Sequence, residues 1–406
     1  MKKSMEHLQL GTTEDEEEVV FEPDEEYVAR MGGQAASLRQ SSGNIKAVGF
    51  AAQDEGEKAK VERFSRLHTK YDFIKVKVWL EDHYYIMSRF IVSRMLTLIK
   101  VSPEDAIKVA LELKKDLVDQ GLLSLTQADL EKHLFRIMEV KGYGHIYRER
   151  FTMTLKFHHQ RVPLIIIIAG TGCMGKSFLA TQLAERINVP NVLQTNLVYE
   201  FLNSVKDITT EPLIYRRFAS KKELLDDFRS DCKMVRDAVK TDLDKALKEG
   251  KSIILEGFHI DPALFLHLIE HNSIIPYPKV NQKKLEGEAV SIQPAAENKG
   301  NEPKGVILPV IFNMNEKDHR LFVENMLSTS TYDRQFAQGL SEDTHAQTSA
   351  LLSNLRYIQS YLCRFAPPFQ LLEVKAQSFP ETLDHLHTVV LEGIQQAFQM
   401  TSAFEQ

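Results

Sequence analysis

The chain has 406 residues, of which 43% are hydrophobic, and its formal net charge is -6 at pH 7. This length and apolar content suit two globular domains with terminal tails. The slight acidity gives no global positive field, so the composition argues against sequence-independent binding to nucleic acid.

The sequence contains no apolar run near the roughly 18 to 20 residues that a membrane span requires. The first ten residues, MKKSMEHLQL, lack the apolar centre of a secretory signal. Cys173, Cys232 and Cys363 are odd in number and widely spaced, which argues against a disulfide framework and against a zinc site. We therefore expect a cytoplasmic protein with reduced thiols and no membrane contact.

Residues 1–65 contain an acidic run, Glu14–Glu18, and no sustained apolar period. Such a segment cannot bury enough surface to offset its chain entropy. We interpret it as a disordered acidic tail, which either only solvates the protein or docks a protein partner.

Residues 66–158 are predicted to form a smaller, mainly helical domain. The alternation in Phe73–Val78 favours a strand, and the period that follows favours a helix from His83 to Ile99. Helix-start signals at Ser102-Pro103 and at Thr126, with apolar periodicity, predict further helices over residues 102–118, 126–140 and 146–155.

Residues 159–406 have the rhythm of an α/β domain. The β-branched run Leu164–Ala169 suits a fully buried central parallel strand, and a helix is predicted from Lys176 to Ile187. Four further apolar segments separated by helical ones predict a doubly wound parallel sheet, namely Val192–Gln194, Ser252–Glu256, Val306–Phe312 and Leu371–Val374. Residues 277–305 interrupt this rhythm and are predicted to be a flexible surface insertion.

A phosphate-binding motif follows the central strand. Its sequence is Gly170-Thr171-Gly172-Cys173-Met174-Gly175-Lys176-Ser177, which matches G-x-x-x-x-G-K-[ST]. The glycines let the backbone wrap phosphates, and the N–H groups at the start of the next helix bind the anion. Lys176 would neutralise phosphate charge, and the Ser177 hydroxyl would hold Mg²⁺. The motif predicts a P-loop that binds ATP with magnesium.

A carboxylate ends the predicted strand at 252–256. Glu256 there suits a position that holds Mg²⁺ or orients a nucleophile in phosphoryl transfer. Candidate anion-binding side chains lie in segments that could cover the site, because arginine makes forked contacts to phosphate. They are Arg216, Arg217, Arg320, Arg334 and Arg356.

These residues resemble a known family. The motif GTGCMGKS with LATQLAERINVPNVLQTNLVYEFL, LEGFHIDPALF at 255–265 and NLRYIQSYL at 354–362 are similar to the 2-phosphoglycerate kinase-related P-loop proteins. The plant branch, the low-phytic-acid P-loop proteins, is the nearer match. Upstream, YDFIKVKVWLEDHYYIMSRFIVSRML resembles the ATP-cone-like domain that members of the family carry.

The resemblance implies transfer of the ATP γ-phosphate to a small, anionic, hydroxylated acceptor. That acceptor is 2-phosphoglycerate in the archaeal branch, and the plant branch is connected with inositol phosphates. Lys176 and Glu256 would act on ATP and magnesium, and Asn196 would lie near the acceptor. Asn196 stands where the family has an aspartate, and an amide lacks the basicity to accept the acceptor's proton.

A second interpretation follows from Asn196. The chain would then be a catalytically weak or inactive nucleotide-binding protein that serves as an interaction component of a larger assembly. The tail or residues 277–305 would dock its protein partner. A nucleic-acid kinase is disfavoured by the charge balance.

Overall fold

The computed structural model describes residues 71, 73–205, 211–280, 303–338 and 343–404. The predicted tail at 1–65 and most of the predicted insertion at 277–305 lie outside these residues, and so does the side chain of Arg334. All described residues belong to one compact unit. Among them, no helix combines the length and apolar character that crossing a membrane demands.

The N-terminal module contains a small sheet as well as helices. Its strand order is β2-β1-β3, in which β1 (Lys77–Leu80) pairs antiparallel with β2 (His83–Ile86) and parallel with β3 (Ser124–Thr126). The helices of the module are α1 (Arg89–Leu98), α2 (Pro103–Asp119), α3 (Gln127–Val140) and α4 (His145–His159). They pack with the sheet around one apolar cluster.

The predicted helix from His83 was wrong in its first part. His83–Ile86 instead form the edge strand of a hairpin, whose turn contains Glu81 at φ +52°. The helix starts later because Ser88 caps it, its hydroxyl accepting a hydrogen bond from the Ile91 N–H at 3.4 Å. The starts predicted at Ser102 and Thr126 are confirmed, since both hydroxyls accept a hydrogen bond from the third following N–H.

The second sheet confirms the doubly wound α/β class. All five strands are parallel in the order β5-β6-β4-β7-β8. Every residue of the central strand β4 is buried, as expected for a strand covered on both faces. The strands are β4 (Leu164–Ala169), β5 (Val192–Gln194), β6 (Ile253–Gly257), β7 (Val306–Met314) and β8 (Gln370–Val374).

Helices cover both faces of this sheet. The helices are α5 (Lys176–Ile187), α6 (Thr195–Val205), α7 (Lys221–Glu249), α8 (Leu266–Asn272), α9 (Glu316–Thr329), α10 (Thr331–Ala337), α11 (Thr344–Cys363) and α12 (Phe379–Phe404). One apolar cluster lies between the sheet and helices α7 and α11, and the other lies between the sheet and helices α5 and α12. Short 3₁₀ turns lie at Leu213–Tyr215 and Pro262–Phe265.

Helix α12 joins the module to the larger sheet. Its Leu391 belongs to the apolar core of the module. The His387 Nε2 lies 2.7 Å from the Leu98 carbonyl, and Lys100 Nζ donates to Thr388 Oγ1 at 2.7 Å. The proposed division near residue 158 stays a prediction, and these contacts cross it.

Candidate functional site

The loop between β4 and α5 has the backbone that its glycines predict. Gly175 caps α5 in the left-handed region at φ +70°. A side chain at this position would also meet the Phe379 ring, whose nearest atom lies 2.6 Å from an ideal Cβ. Only glycine satisfies both the backbone angle and the close approach.

Lys176 is buried at the first position of α5. Its ammonium donates a hydrogen bond to the Thr171 carbonyl at 2.5 Å, within the same loop. Burial lowers the pKa of Lys176, and the nearby Glu256 carboxylate opposes this shift. The lysine therefore places a partly desolvated positive charge inside the loop, where phosphate oxygens would be neutralised.

Glu256 lies near the end of β6, beside the last residues of the strand that leads into the loop. In the parallel pairing of β4 with β6 it is in register with Ile168. The carboxylate is 1% exposed, and its Oε2 has no hydrogen-bond partner. Burial raises the pKa of Glu256, while Lys176 and a hydrogen bond with Ser177 lower it.

This pair of side chains fits a hydrated magnesium ion. A buried carboxylate oxygen without a partner lies beside the Ser177 hydroxyl, and Mg²⁺ prefers such oxygen ligands together with waters and phosphates. Within the described ranges, no three His, Cys, Asp or Glu side chains form a metal cluster. Glu256 and Ser177 would therefore hold the ion jointly with the nucleotide.

Asn196 lies at the same edge of the sheet, on the first turn of α6. Its side-chain carbonyl accepts a hydrogen bond from the Phe258 N–H at 3.1 Å. The neighbouring Thr195 Oγ1 accepts from the His259 N–H at 3.3 Å. The side chain of Asn196 itself is exposed. The segments after β5 and β6 are thus tied together next to Glu256.

A buried network that the sequence patterns did not indicate lies beside Asn196. The His259 ring stacks on Tyr199, with centroids 4.1 Å apart, and its Nδ1 has no partner. The Tyr199 hydroxyl bonds Asp231 and Arg216. Burial, with the positive charges of Lys176 and Arg216, lowers the pKa of His259 to about 3. His259 is therefore a neutral imidazole near pH 7.

A second histidine supports the loop from the side of α9. The His319 Nε2 lies 2.9 Å from the Gly172 carbonyl, and burial lowers the pKa of this imidazole.

Cys173 Sγ lies 3.2 Å from Met326 Sδ, and burial raises the pKa of the thiol to about 12. The Cys173 thiol therefore stays protonated, so it contributes to packing rather than to redox chemistry.

A cationic cleft of about 410 Å³ adjoins the loop. Three basic side chains line it, together with one carboxylate, two serines, a tyrosine and a leucine: Lys221, Arg320, Arg356, Glu316, Ser349, Ser353, Tyr357 and Leu352. The helix α11 that carries Arg356 also reaches the P-loop, because its buried Leu355 lies 3.4 Å from where a Gly172 Cβ would be.

The cations of the cleft are bonded mainly to neutral oxygens. Lys221 Nζ donates to Ser353 Oγ and to Asn354 Oδ1, both at 2.8 Å. Arg356 Nη1 donates to the Met314 carbonyl at 2.6 Å. Among the residues that the structure describes, only Arg320 of these three cations has a carboxylate partner, 3.9 Å away on Glu316. The cleft therefore has an excess of positive charge that an anion would neutralise.

Of the five candidate arginines, Arg216 is bonded to Tyr199 and Asp231 instead, and two others line this cleft. They are Arg320 and Arg356. Arg217 is exposed and is not among the lining residues, and the side chain of Arg334 lies outside the described residues. Lys221 was missed, because a lysine in the first turn of a long polar helix has no distinguishing sequence signal.

Several curated proteins with similar sequences share one name. The chain is similar to 2-phosphoglycerate kinases. It is 28% identical to the protein of Pyrococcus horikoshii over 185 residues, 27% to that of Pyrococcus furiosus over 212 and 26% to that of Methanocaldococcus jannaschii over 199. These matches cover 43%, 50% and 47% of this chain and 61%, 69% and 64% of the relatives. The chain thus spans about two thirds of their length.

Other comparisons are weaker. No protein-family model matches the chain. Among solved structures, the full-length tRNA isopentenylpyrophosphate transferase of Bacillus halodurans matches 59% of this chain and 99% of its own, at 12% identity and a TM-score of 0.35. The similarity to the named kinases therefore supports a kinase-like function and does not identify the acceptor.

Proposed function

We propose that the chain is a kinase that transfers the γ-phosphate of ATP to a hydroxyl of a small anionic acceptor. One observation carries the proposal: Lys176 and Glu256, whose buried Oε2 has no hydrogen-bond partner, lie together at the strand ends beside a cleft with excess positive charge. The similarity to 2-phosphoglycerate kinases supports the same reaction class.

The P-loop residues would position the donor. The backbone of Gly170–Gly175 would wrap the phosphates, Lys176 would neutralise the charge on the transferred group, and Ser177 with Glu256 would hold Mg²⁺. Magnesium supplies charge neutralisation on the phosphates when it is bound. Phosphoryl transfer of this kind depends on positioning and electrostatics more than on covalent chemistry.

The cleft would bind the anionic group of the acceptor. Arg356 and Arg320 can fork to a carboxylate or phosphate, and Lys221 adds a point charge. Asn196 would orient the acceptor hydroxyl from the opposite side of the loop. Arg217 and Arg334 remain candidates from the sequence. The closer relation to the low-phytic-acid branch and the ATP-cone likeness of residues 66–158 also remain proposals.

A transfer assay tests the proposal. The full chain with MgATP is offered 2-phosphoglycerate, 3-phosphoglycerate, glycerate and a set of inositol phosphates, and product formation is followed by radiolabel transfer. We expect transfer to at least one acceptor, loss of it in Lys176→Ala, and loss of the magnesium-dependent part of ATP binding in Glu256→Gln. ATP binding without transfer to any acceptor would contradict the kinase proposal.

A second function is favoured by the observation that the amide of Asn196 faces the strand ends where a base is expected. The chain would then bind nucleotide without turnover and dock a protein partner through residues 1–65 or 277–305. This version predicts that partner capture by the full chain changes with MgATP and that the change disappears in Lys176→Ala. Capture that is the same with and without nucleotide contradicts a nucleotide-gated interaction.

A further inference from the structure

The P-loop is closely approached on two sides. Phe312 closes one side against Gly170, with its Cβ 3.3 Å from an ideal glycine Cβ, and α11 closes another against Gly172. Inside the loop, the buried residues are Gly170, Thr171, Met174 and Lys176. The exposed residues follow at its end, Ser177 and Phe178. The exposed surface next to the loop at this end is therefore that of Ser177 and Phe178, over which the rest of a nucleotide could extend.

Two aromatic rings, those of Phe178 and Phe379, form a corner next to the end of the loop. Phe178, in the first turn of α5, is 58% exposed. Its ring meets the Phe379 ring nearly at a right angle, at 88° with centroids 5.9 Å apart. Phe322 of α9 supports Phe379 from another direction, with centroids 5.7 Å apart. A flat molecule that lies on Phe178 would present its edge to Phe379, and both arrangements are favourable for aromatic rings.

We propose that this corner, Phe178 with Phe379, binds the base of the nucleotide and that the base is a purine. The inference rests on the proposed function, in which the phosphates occupy Gly170–Ser177. The base stacks on Phe178, and its edge contacts Phe379. A bicyclic purine covers more of the exposed ring than a pyrimidine does, so stacking favours ATP and GTP over CTP and UTP.

The corner is held in place by the surrounding fold. Phe379 is the first residue of α12, and its ring also fills the space over Gly175. The segment before it is fixed by a hydrogen bond from the Ala376 N–H to Asp318 Oδ2 at 3.0 Å. A preorganised site costs less ordering on binding than a mobile one. Phosphate and base sites are thus rigidly connected through one ring.

Isothermal titration calorimetry on the full chain distinguishes the contribution of the base to binding affinity from that of the phosphates. We compare MgATP with magnesium tripolyphosphate, which carries phosphates and no base. In Phe178→Ala we expect ATP affinity to fall about 5- to 100-fold while tripolyphosphate affinity is unchanged, given the usual strength of base–aromatic stacking. Phe178→Trp should keep the ATP affinity, and Phe379→Leu, which preserves apolar packing, should weaken only ATP.

Phe201→Ala is the matched control, because this residue is also an exposed phenylalanine on a helix, at 67%. It should leave both affinities unchanged. The inference is overturned if Phe178→Ala weakens neither ligand or weakens both equally, or if CTP binds as tightly as ATP. If neither ATP nor tripolyphosphate binds the wild type, the proposed function itself fails, which is a different result.

Discussion

The side-chain carbonyl of Asn196 accepts a hydrogen bond from the Phe258 N–H at 3.1 Å, and so ties the start of α6 to the segment after β6. A carboxylate oxygen could accept the same bond. The local fold therefore accommodates either an amide or an acid at position 196, and the difference between them is chemical rather than structural.

Substitution at Asn196 should separate positioning from proton acceptance. We expect Asn196→Asp to keep the fold and the ATP affinity and to raise kcat by about tenfold or more, because general bases contribute roughly 10²–10⁴ where proton transfer matters. Asn196→Ala, which leaves the Phe258 N–H without its acceptor, should lower kcat. Steady-state kinetics with saturating MgATP measure both. A variant Asn196→Asp that is slower than the wild type would contradict a role for this position in accepting the proton.

The cleft should control acceptor affinity and leave ATP binding unchanged. Arg356→Lys keeps the charge but loses the forked donors, and we expect it to raise the acceptor KM about tenfold or more. Lys221→Gln should act in the same direction. Lys248→Gln, on the exposed part of α7, is the control. Equal effects on the KM values of ATP and acceptor would place these cations at the donor instead.

Acid stability should depend on His259. Its pKa is about 3 in the folded chain because of burial and the charges of Lys176 and Arg216, against about 6.5 when unfolded. Because the unfolded chain binds a proton at this histidine more readily than the folded chain does, the stability present above the unfolded pKa is lost as the pH falls toward the folded pKa. The loss is at most ~1.4 kcal/mol of unfolding free energy per pH unit.

We therefore expect the free energy of unfolding of His259→Phe, which keeps a ring on Tyr199, to fall less steeply than that of the wild type between about pH 6.5 and 3. Glu256 and Asp261 affect the pH dependence of the unfolding free energy in the opposite direction, because burial raises their pKa values and the folded chain therefore binds their protons more readily. Urea unfolding at several pH values measures the difference. His145→Gln, at an exposed position, should follow the wild type. Parallel curves for His259→Phe and wild type would show that this histidine does not titrate as described.

Two glycines of the loop should respond differently to alanine. Gly175→Ala should lose about 1–2 kcal/mol of stability from its left-handed backbone alone, and Phe379 must also move. Gly172→Ala meets only an ordinary contact with Leu355 at 3.4 Å and should be nearly neutral for folding. Thermal unfolding of both variants without ligand tests this contrast. Similar losses in the two would refute the steric explanation.

The strand, loop and helix that form the predicted donor side were predictable from sequence, because their residues are adjacent in the chain. A glycine-rich segment between a buried strand and a helix has one well-known backbone geometry, so the turn at Gly170–Ser177 follows from its sequence. Glu256 could be placed with them, since the ends of parallel strands meet at one edge. The central strands and α5 followed from periodicity for the same local reasons.

The remaining groups were not predictable, because they meet only through tertiary packing. His319 and Gly172 are far apart in sequence, and Lys221 reaches Ser353 from another helix. Neither contact leaves a pattern in the chain. The second strand of the hairpin, His83–Ile86, was missed for a related reason: its residues fit a helical period, and pairing with β1 decided the outcome.

Helix α12 belongs to both halves of the described unit. It begins at Phe379 above the P-loop, and farther along it contributes Leu391 to the core of the N-terminal module. Hydrogen exchange should accordingly show amides of α1 and α12 opening together, as one cooperative region. Cutting the chain near residue 159 would expose the apolar contact between Leu391 and the core of the N-terminal module, so we expect neither part to keep its full core when separated.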